Sequence, residues 1–207
     1  MLISSRQASR IFEETAGIGR QQSRRALLCG VAGPAAHTGG ALLYDEQAVR
    51  DVARWQAADH ADLLEASPGG VLVIRLARGE EPAPGASWEE RVEAIRIQPH
   101  LGFAAWLQVC AFLSVHGRLG VVVTVCGYPV LLADLVSFRR GGGGLVELGL
   151  ERPGEWAGLL ADRRLVTSPG PRWLMLGGQP YLGRAARARE RGEPVGAGRS
   201  TTWSRWA

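Results

Sequence analysis

Lysine is absent from this chain of 207 residues; all 24 basic residues are arginine. Without a lysine there is no Gly-rich loop closing on Lys-Ser or Lys-Thr, so a P-loop is excluded. The four-glycine run Gly141–Gly144 then reads as a flexible hairpin loop. With abundant Ala and Gly, the all-arginine usage points to a GC-rich coding sequence of bacterial type, and it discounts the arginine count as evidence of binding. Cysteine is scarce and odd in number: Cys29, Cys110 and Cys126 show no CxxC or metal spacing, which predicts reduced, buried thiols. Long apolar runs are missing too. The nearest, Leu101–Gly117, is interrupted by Gln108, Ser114 and His116 and sits at the lower length limit for a span, so a buried helix is predicted there. The N-terminus lacks the charged-then-apolar pattern of a signal peptide. The expectation is a cytoplasmic protein with no membrane partner.

Catalytic motifs are equally scarce. The four histidines, His37, His60, His100 and His116, have no HxH, HxxxH or HExxH partner, so no metal site and no cofactor are assigned. Asp59-His60-Ala61-Asp62 reads as solvated charge at a helix end. Cys126 before Gly127-Tyr128 lacks the base and oxyanion donor that a nucleophile needs. Glu89-Glu90 fits a helix first turn, where acids favour the dipole. No enzyme is predicted.

What is present is concentrated at the ends. Six arginines against two glutamates follow residue 183, seven arginines against five acids precede residue 58, and the middle is slightly acidic within a net charge of +4. Apolar residues make up 46% and charged residues 21%, the balance of a globular chain.

The stretch Ser4–Gly30 carries the strongest pattern. Ser4 and Gln7 have capping-box spacing, and Ala8, Ile11, Phe12 and Ala16 give the first helix one apolar face. Gly17-Ile18-Gly19 breaks it. A second helix, Arg20–Cys29, turns Ser23, Ala26 and Leu27 inward and stops at Gly30. That leaves Arg20, Gln21, Arg24 and Arg25 outward, residue types able to make bidentate contacts with guanine or adenine and to neutralise phosphates. Gly39-Gly40 marks a hairpin between Ala35–Thr38 and Ala41–Tyr44. Asp45 then caps a third helix with Val49, Val52 and Ala53 on one face.

Two helices around a glycine turn, a hairpin ending in Leu43-Tyr44-Asp45, and a helix with Val four residues after that Asp: this order resembles the MerR/excisionase type of winged helix-turn-helix domain over about the first 57 residues. The resemblance implies that the second helix reads the major groove through Arg20, Gln21, Arg24 and Arg25, with His37 and Thr38 near the wing tip. The wing departs from a phosphate-binding one in being poor in basic residues.

Pro68-Gly69-Gly70 ends the following segment, and residues 59–70 are expected to be a linker. Beyond it, strands are predicted at Val71–Ala77, Val121–Val125, Val130–Phe138, Leu145–Leu150 and Trp173–Leu176. The loop 79–87 separates the first of these from a helical spacing at Trp88, Val92 and Ile95, with Ile95 and Ile97 equally able to end a strand. Pro153 opens a further helix carrying Trp156, Leu159 and Leu160. The fold class expected is α+β: a winged helix-turn-helix (1–58), a linker (59–70), an α+β domain with a mostly antiparallel sheet (71–182), and a disordered basic tail (183–207). In the tail, Arg184, Arg187, Arg189, Arg191, Trp203, Arg205 and Trp206 offer phosphate and stacking contacts.

The function expected is duplex DNA binding by a homodimer, with a protein partner or small effector on the C-terminal domain. Two rivals stand beside it. A positive stripe across the second helix favours DNA, a flat apolar patch favours a protein–protein adaptor, and a deep polar pocket within 71–176 favours an enzyme.

Overall fold

Ser4 and Gln7 start the first helix by exchanging caps: the Ser4 hydroxyl accepts from the Gln7 N–H (3.3 Å), and the Gln7 side chain accepts from the Ser4 N–H (3.0 Å). The structure, a computed structural model, describes residues 1–99, 103–141 and 145–177. Helix α1 (Ser5–Ala16) buries Ala8 and Phe12, and α2 (Arg20–Leu28) packs on it through Ser23, Ala26 and Leu27. Strands β1 (Leu2–Ser4), β2 (Ala36–Thr38) and β3 (Ala41–Asp45) form an antiparallel sheet in the order β1-β3-β2. The β2–β3 hairpin turns on Gly39 and Gly40 at φ 56° and 80°, the pair of positive values that lets a two-residue turn follow the strand twist. Asp45 then caps α3 (Glu46–Ala53), its carboxylate accepting from the Ala48 N–H at 2.9 Å. Phe12, Leu27, Tyr44, Val49 and Val52 make one core from these pieces, each apolar side chain contributing about 1.5–3 kcal/mol on burial.

The rest runs β4 (Gln56–Ala57), α4 (His60–Ala66), β5 (Val71–Arg75), α5 (Trp88–Ile95), β6 (Ile97–Pro99), α6 (Phe103–His116), β7 (Leu119–Val125), β8 (Tyr128–Arg140), β9 (Leu145–Glu151), a 3-10 helix (Glu155–Leu160), β10 (Arg163–Arg164) and β11 (Trp173–Leu176). The chain is therefore α+β. Six strands form one sheet in the order β11-β5-β7-β8-β9-β6; β5 and β7 run parallel and every other neighbouring pair is antiparallel.

Period-2 alternation sends β5 side chains to two cores. Leu72 and Ile74 meet Val109 and Phe112 of α6 and Ile95 of α5, whereas Val71 and Val73 meet Leu63 of α4 and Trp156 and Leu160 of the 3-10 helix. Asp134 is the exception on β8: a carboxylate only 2% exposed, accepting from the Trp156 indole N–H at 2.7 Å and from Arg118 at 3.2 Å.

Several expectations need correction. The segment 59–70 is no linker. Asp59 caps α4 (its carboxylate accepts from the Ala61 N–H at 2.7 Å), and Leu63 is fully buried against the other core. The N-terminal part is also not set apart from the sheet. Tyr128 of β8 sits in its core against Phe12 and Trp55, Arg164 donates to the carbonyls of Ala16 and Trp55, and Met1–Gly177 forms one compact unit. Helix α6 is only half covered: Val109 and Phe112 are buried, while Leu107 and Val115 stay about half exposed. The helix after Pro153 is of the tighter 3-10 type, with Trp156 and Leu160 buried. Gly142–Gly144 and the tail from residue 178 lie outside the described residues.

Candidate nucleic-acid interface

Helix α2 contains three arginines, two glutamines and no acid. Its inward side is fixed by burial of Ser23, Ala26 and Leu27, and the Ser23 hydroxyl is spent on the Arg20 and Gly19 carbonyls. Arg20, Gln21, Gln22, Arg24 and Leu28 are all exposed. Helical periodicity puts Gln21 and Leu28 opposite the buried stripe and Arg24 on its flank, while Arg20, one heptad before Leu27, is exposed because it stands at the N-terminal end of the helix. No side chain caps the N-terminus of α2 at Gly19, so the positive end of the helix dipole is presented together with Arg20 and Gln21. A Cβ added at Gly17 or Gly19 would meet nothing within 4 Å, so the approach to this end is open.

Charge pairing separates the arginines of this region. Arg10 is held by Glu14 (2.7 Å) and Arg50 by Glu46 (2.6 Å), both one helical turn away. Arg20 and Arg24 of α2, like Arg6 and Arg54 on the neighbouring helices, make no ion pair among the described residues. Arg24 lies near enough to β3 for its charge to oppose the upward push that burial gives the Tyr44 phenol.

Arg25, expected to point outward as a base reader, does not. Its Nε donates to Glu81 at 2.6 Å and its Nη2 to the Leu76 carbonyl at 2.8 Å, and its side chain is 24% exposed. The loop after β5 folds back over the C-terminal end of α2; even a Cβ at Gly30 would reach the Pro84 backbone at 3.3 Å. Burial alone would push the Glu81 carboxyl up. The Arg25 hydrogen bond and those from backbone N–H groups outweigh it and hold the carboxyl below the usual carboxylate range. Arg25 is thus a tie between α2 and the sheet-bearing part. Its partners lie 51 and 56 residues away, beyond any local pattern.

His37 and Thr38 are exposed on β2, paired with Leu42 and Ala41. Among the described residues no hydrogen bond or ion pair joins them to α2, so the six predicted contacts resolve into an exposed trio on α2, a separate hairpin pair, and a half-buried tie. Arg184, Arg187, Arg189, Arg191, Trp203, Arg205 and Trp206 lie outside the described residues. No group of three or more His, Cys, Asp or Glu among the described residues could hold a metal ion. No helix among them is long and apolar enough to cross a membrane.

The chain matches no protein-family model, no curated protein and no solved structure.

Proposed function

We propose that this protein binds duplex DNA through α2, as a cytoplasmic bacterial transcription regulator or nucleoid-associated factor with a winged helix-turn-helix head. The observation that carries the reading is the acid-free sequence of α2, with Arg20, Gln21 and Arg24 exposed towards its N-terminal half, the two arginines unpaired among the described residues, and the helix N-terminus open. In helix-turn-helix docking the N-terminal residues of the second helix approach the base edges. That leaves room for the loop that covers the other end of α2. Arg25 is withdrawn from the reading set. His37 and Thr38 remain in it as hairpin-tip contacts, on a hairpin that brings no arginine to the phosphates. One small reading surface binds weakly, so two chains on paired half-sites belong to the same proposal.

The test is fluorescence anisotropy of the full chain on a labelled random-sequence duplex at two salt concentrations. The expected result is salt-sensitive binding, with two chains per duplex site. In R20A/R24A the slope of log K against log salt falls by about 0.9 for each phosphate that is no longer neutralised. No binding at low salt, or full binding by R20A/R24A, overturns the proposal.

A further inference from the structure

Beside β8 lies a cleft of about 430 Å³ whose lining is mostly apolar, within the size range of small-molecule sites. The cleft is open and is lined by Trp55 and Trp88 together with Pro129, Pro153 and aliphatic side chains. The cleft exists because β9 pairs with β8 only from Asp134 onward. In the stretch before that, Val130 is an extra residue opposite β7, a bulge between the Thr124–Pro129 and Val123–Leu131 pairs. Bulges of this kind re-aim side chains and end strand pairing.

That strand edge is not open to another strand. The Val130 carbonyl accepts from Arg91 Nη1 at 2.6 Å, and the Leu132 carbonyl accepts from the Trp88 indole N–H at 2.9 Å. A peptide adding as a strand would find both acceptors taken, so the occupant is a compact molecule.

Its charge follows from Arg91. This guanidinium is half-buried and fixed by neutral carbonyls alone, those of Ala86 (from Nε, 2.9 Å) and Val130. It has no carboxylate partner, and its Nη2 has no hydrogen-bond acceptor among the described residues. That Nη2 is not among the buried unpaired atoms, so it is open to solvent and free to donate to an anion, the stronger kind of hydrogen bond. A second guanidinium, Arg152, lies 4.5 Å over the Trp88 ring at the rim; its partner Glu89 is as exposed as itself, a pairing that a ligand carboxylate can exchange with. Asp162 supplies the lining's single carboxylate. By contrast, the hollow beside Glu80 and Glu81 has its acids already matched by Arg172 and Arg25.

We infer that the cleft between Trp55 and Trp88 is a binding site for a small organic anion with a planar apolar body, an aromatic carboxylate, whose carboxylate takes the free donor of Arg91 and whose ring lies against the indoles. The site does not depend on DNA binding.

Calorimetric titration of the full chain with 2-naphthoate and with its uncharged counterpart 2-naphthamide tests it. Saturable 1:1 binding of the acid with Kd below about 1 mM is expected. The amide should bind about ten- to a hundredfold more weakly, the scale of one charge-assisted hydrogen bond. R91Q should abolish the difference between acid and amide. A161F, which fills the cleft from an exposed position and disturbs no core packing, should abolish binding of both. Absence of saturable binding by 2-naphthoate, equal affinity for acid and amide in the unaltered chain, or undiminished binding in A161F would each overturn the inference. The last two readouts hold even where R91Q fails to fold.

Discussion

Removing Arg25 should destabilise the protein, where a surface reading residue could be removed at no cost. The Arg25–Glu81 pair has side chains 24% and 17% exposed, between the surface limit of about 0–1 kcal/mol and the buried limit of about 3–5 kcal/mol for breaking one partner away. Arg25→Ala strands the Glu81 carboxylate and also removes the donor to the Leu76 carbonyl, so about 2–3 kcal/mol is expected. Glu81→Ala leaves Arg25 that carbonyl and should cost less. The coupling in a cycle of R25A, E81A and the double variant should be about 1–2 kcal/mol. For a unit of this size the R25A melting temperature falls by about 4–10 °C, measured by circular dichroism. The pH sign follows from a carboxyl held low: its stabilisation is present above the unfolded carboxylate value of about 4.3 and is lost as pH falls through the lower folded value. The R25A variant should lack this acid-side loss. The double variant removes both charges, so its DNA affinity should stay within about twofold of the unaltered chain. Unchanged stability in R25A, additive single effects, or loss of DNA binding in the double variant would refute the reasoning and return Arg25 to the reading surface.

Gly70→Ala should cost about 2–4 kcal/mol, because φ is 83° and a Cβ would lie 2.8 Å from the Leu176 carbonyl oxygen, a backbone atom fixed in β11; Gly17→Ala, at φ 65° with nothing within 4 Å, should cost only about 1–2 kcal/mol, as urea titration of both would show. Burial pushes the Cys29 thiol up to about 12, and burial raises Cys110 and Cys126 as well, so Ellman's reagent at pH 8 should leave Cys29 unmodified until the protein is unfolded. The raised thiol binds its proton more tightly when folded, so the stability it contributes is lost as pH rises from about 8.5 through that folded value.

Local chemistry was legible wherever one short segment decides it. Ser4 with Gln7, Gly39-Gly40, and Asp45 before the spacing of Val49 and Val52 each contain their own physical cause: a cap, a turn, an apolar stripe. The β-branched runs in β5 and β7 declared themselves the same way. Legibility ended where a partner is remote. Nothing near Arg25 announces Glu81, and nothing near Tyr128 announces that its ring packs on Phe12 of α1. Pro68-Gly69-Gly70 suggested a boundary because turn residues punctuate chains whether or not domains part there. In this chain Leu63, seven residues after Gln56 of β4, is already under the 3-10 helix. The Trp55–Trp88 cleft had half a signal, since Trp88 and Arg91 share a side of α5 at a spacing of three. The rest of its lining and its bulge come from elsewhere in the chain.

Trp55 is where the two proposed activities meet. It lines the cleft, its ring packs 6.0 Å from the Tyr128 ring, and its carbonyl accepts from Arg164. Tyr128 meets Phe12 edge-on, and Phe12 lies in the core on which α2 rests. This chain of packing is continuous, yet continuity alone is no switch; coupling needs an element with two arrangements that each site biases differently. The ties through Arg25, Tyr128 and Arg164 hold the head and the sheet in one arrangement, and Glu81 is closed over one end of α2 in it. An anion bound in the cleft would therefore add stability by mass action, RT ln(1 + [L]/Kd), to the arrangement in which the proposed reading surface already stands. It can change the hold of α2 on a duplex only to the extent that binding at the cleft and binding at Arg20 and Arg24 demand different positions of Trp55. The direct measure of that demand is the ratio of 2-naphthoate affinities with and without saturating duplex, which by linkage equals the ratio of duplex affinities with and without the anion. With the head locked as it is, that ratio should lie close to one.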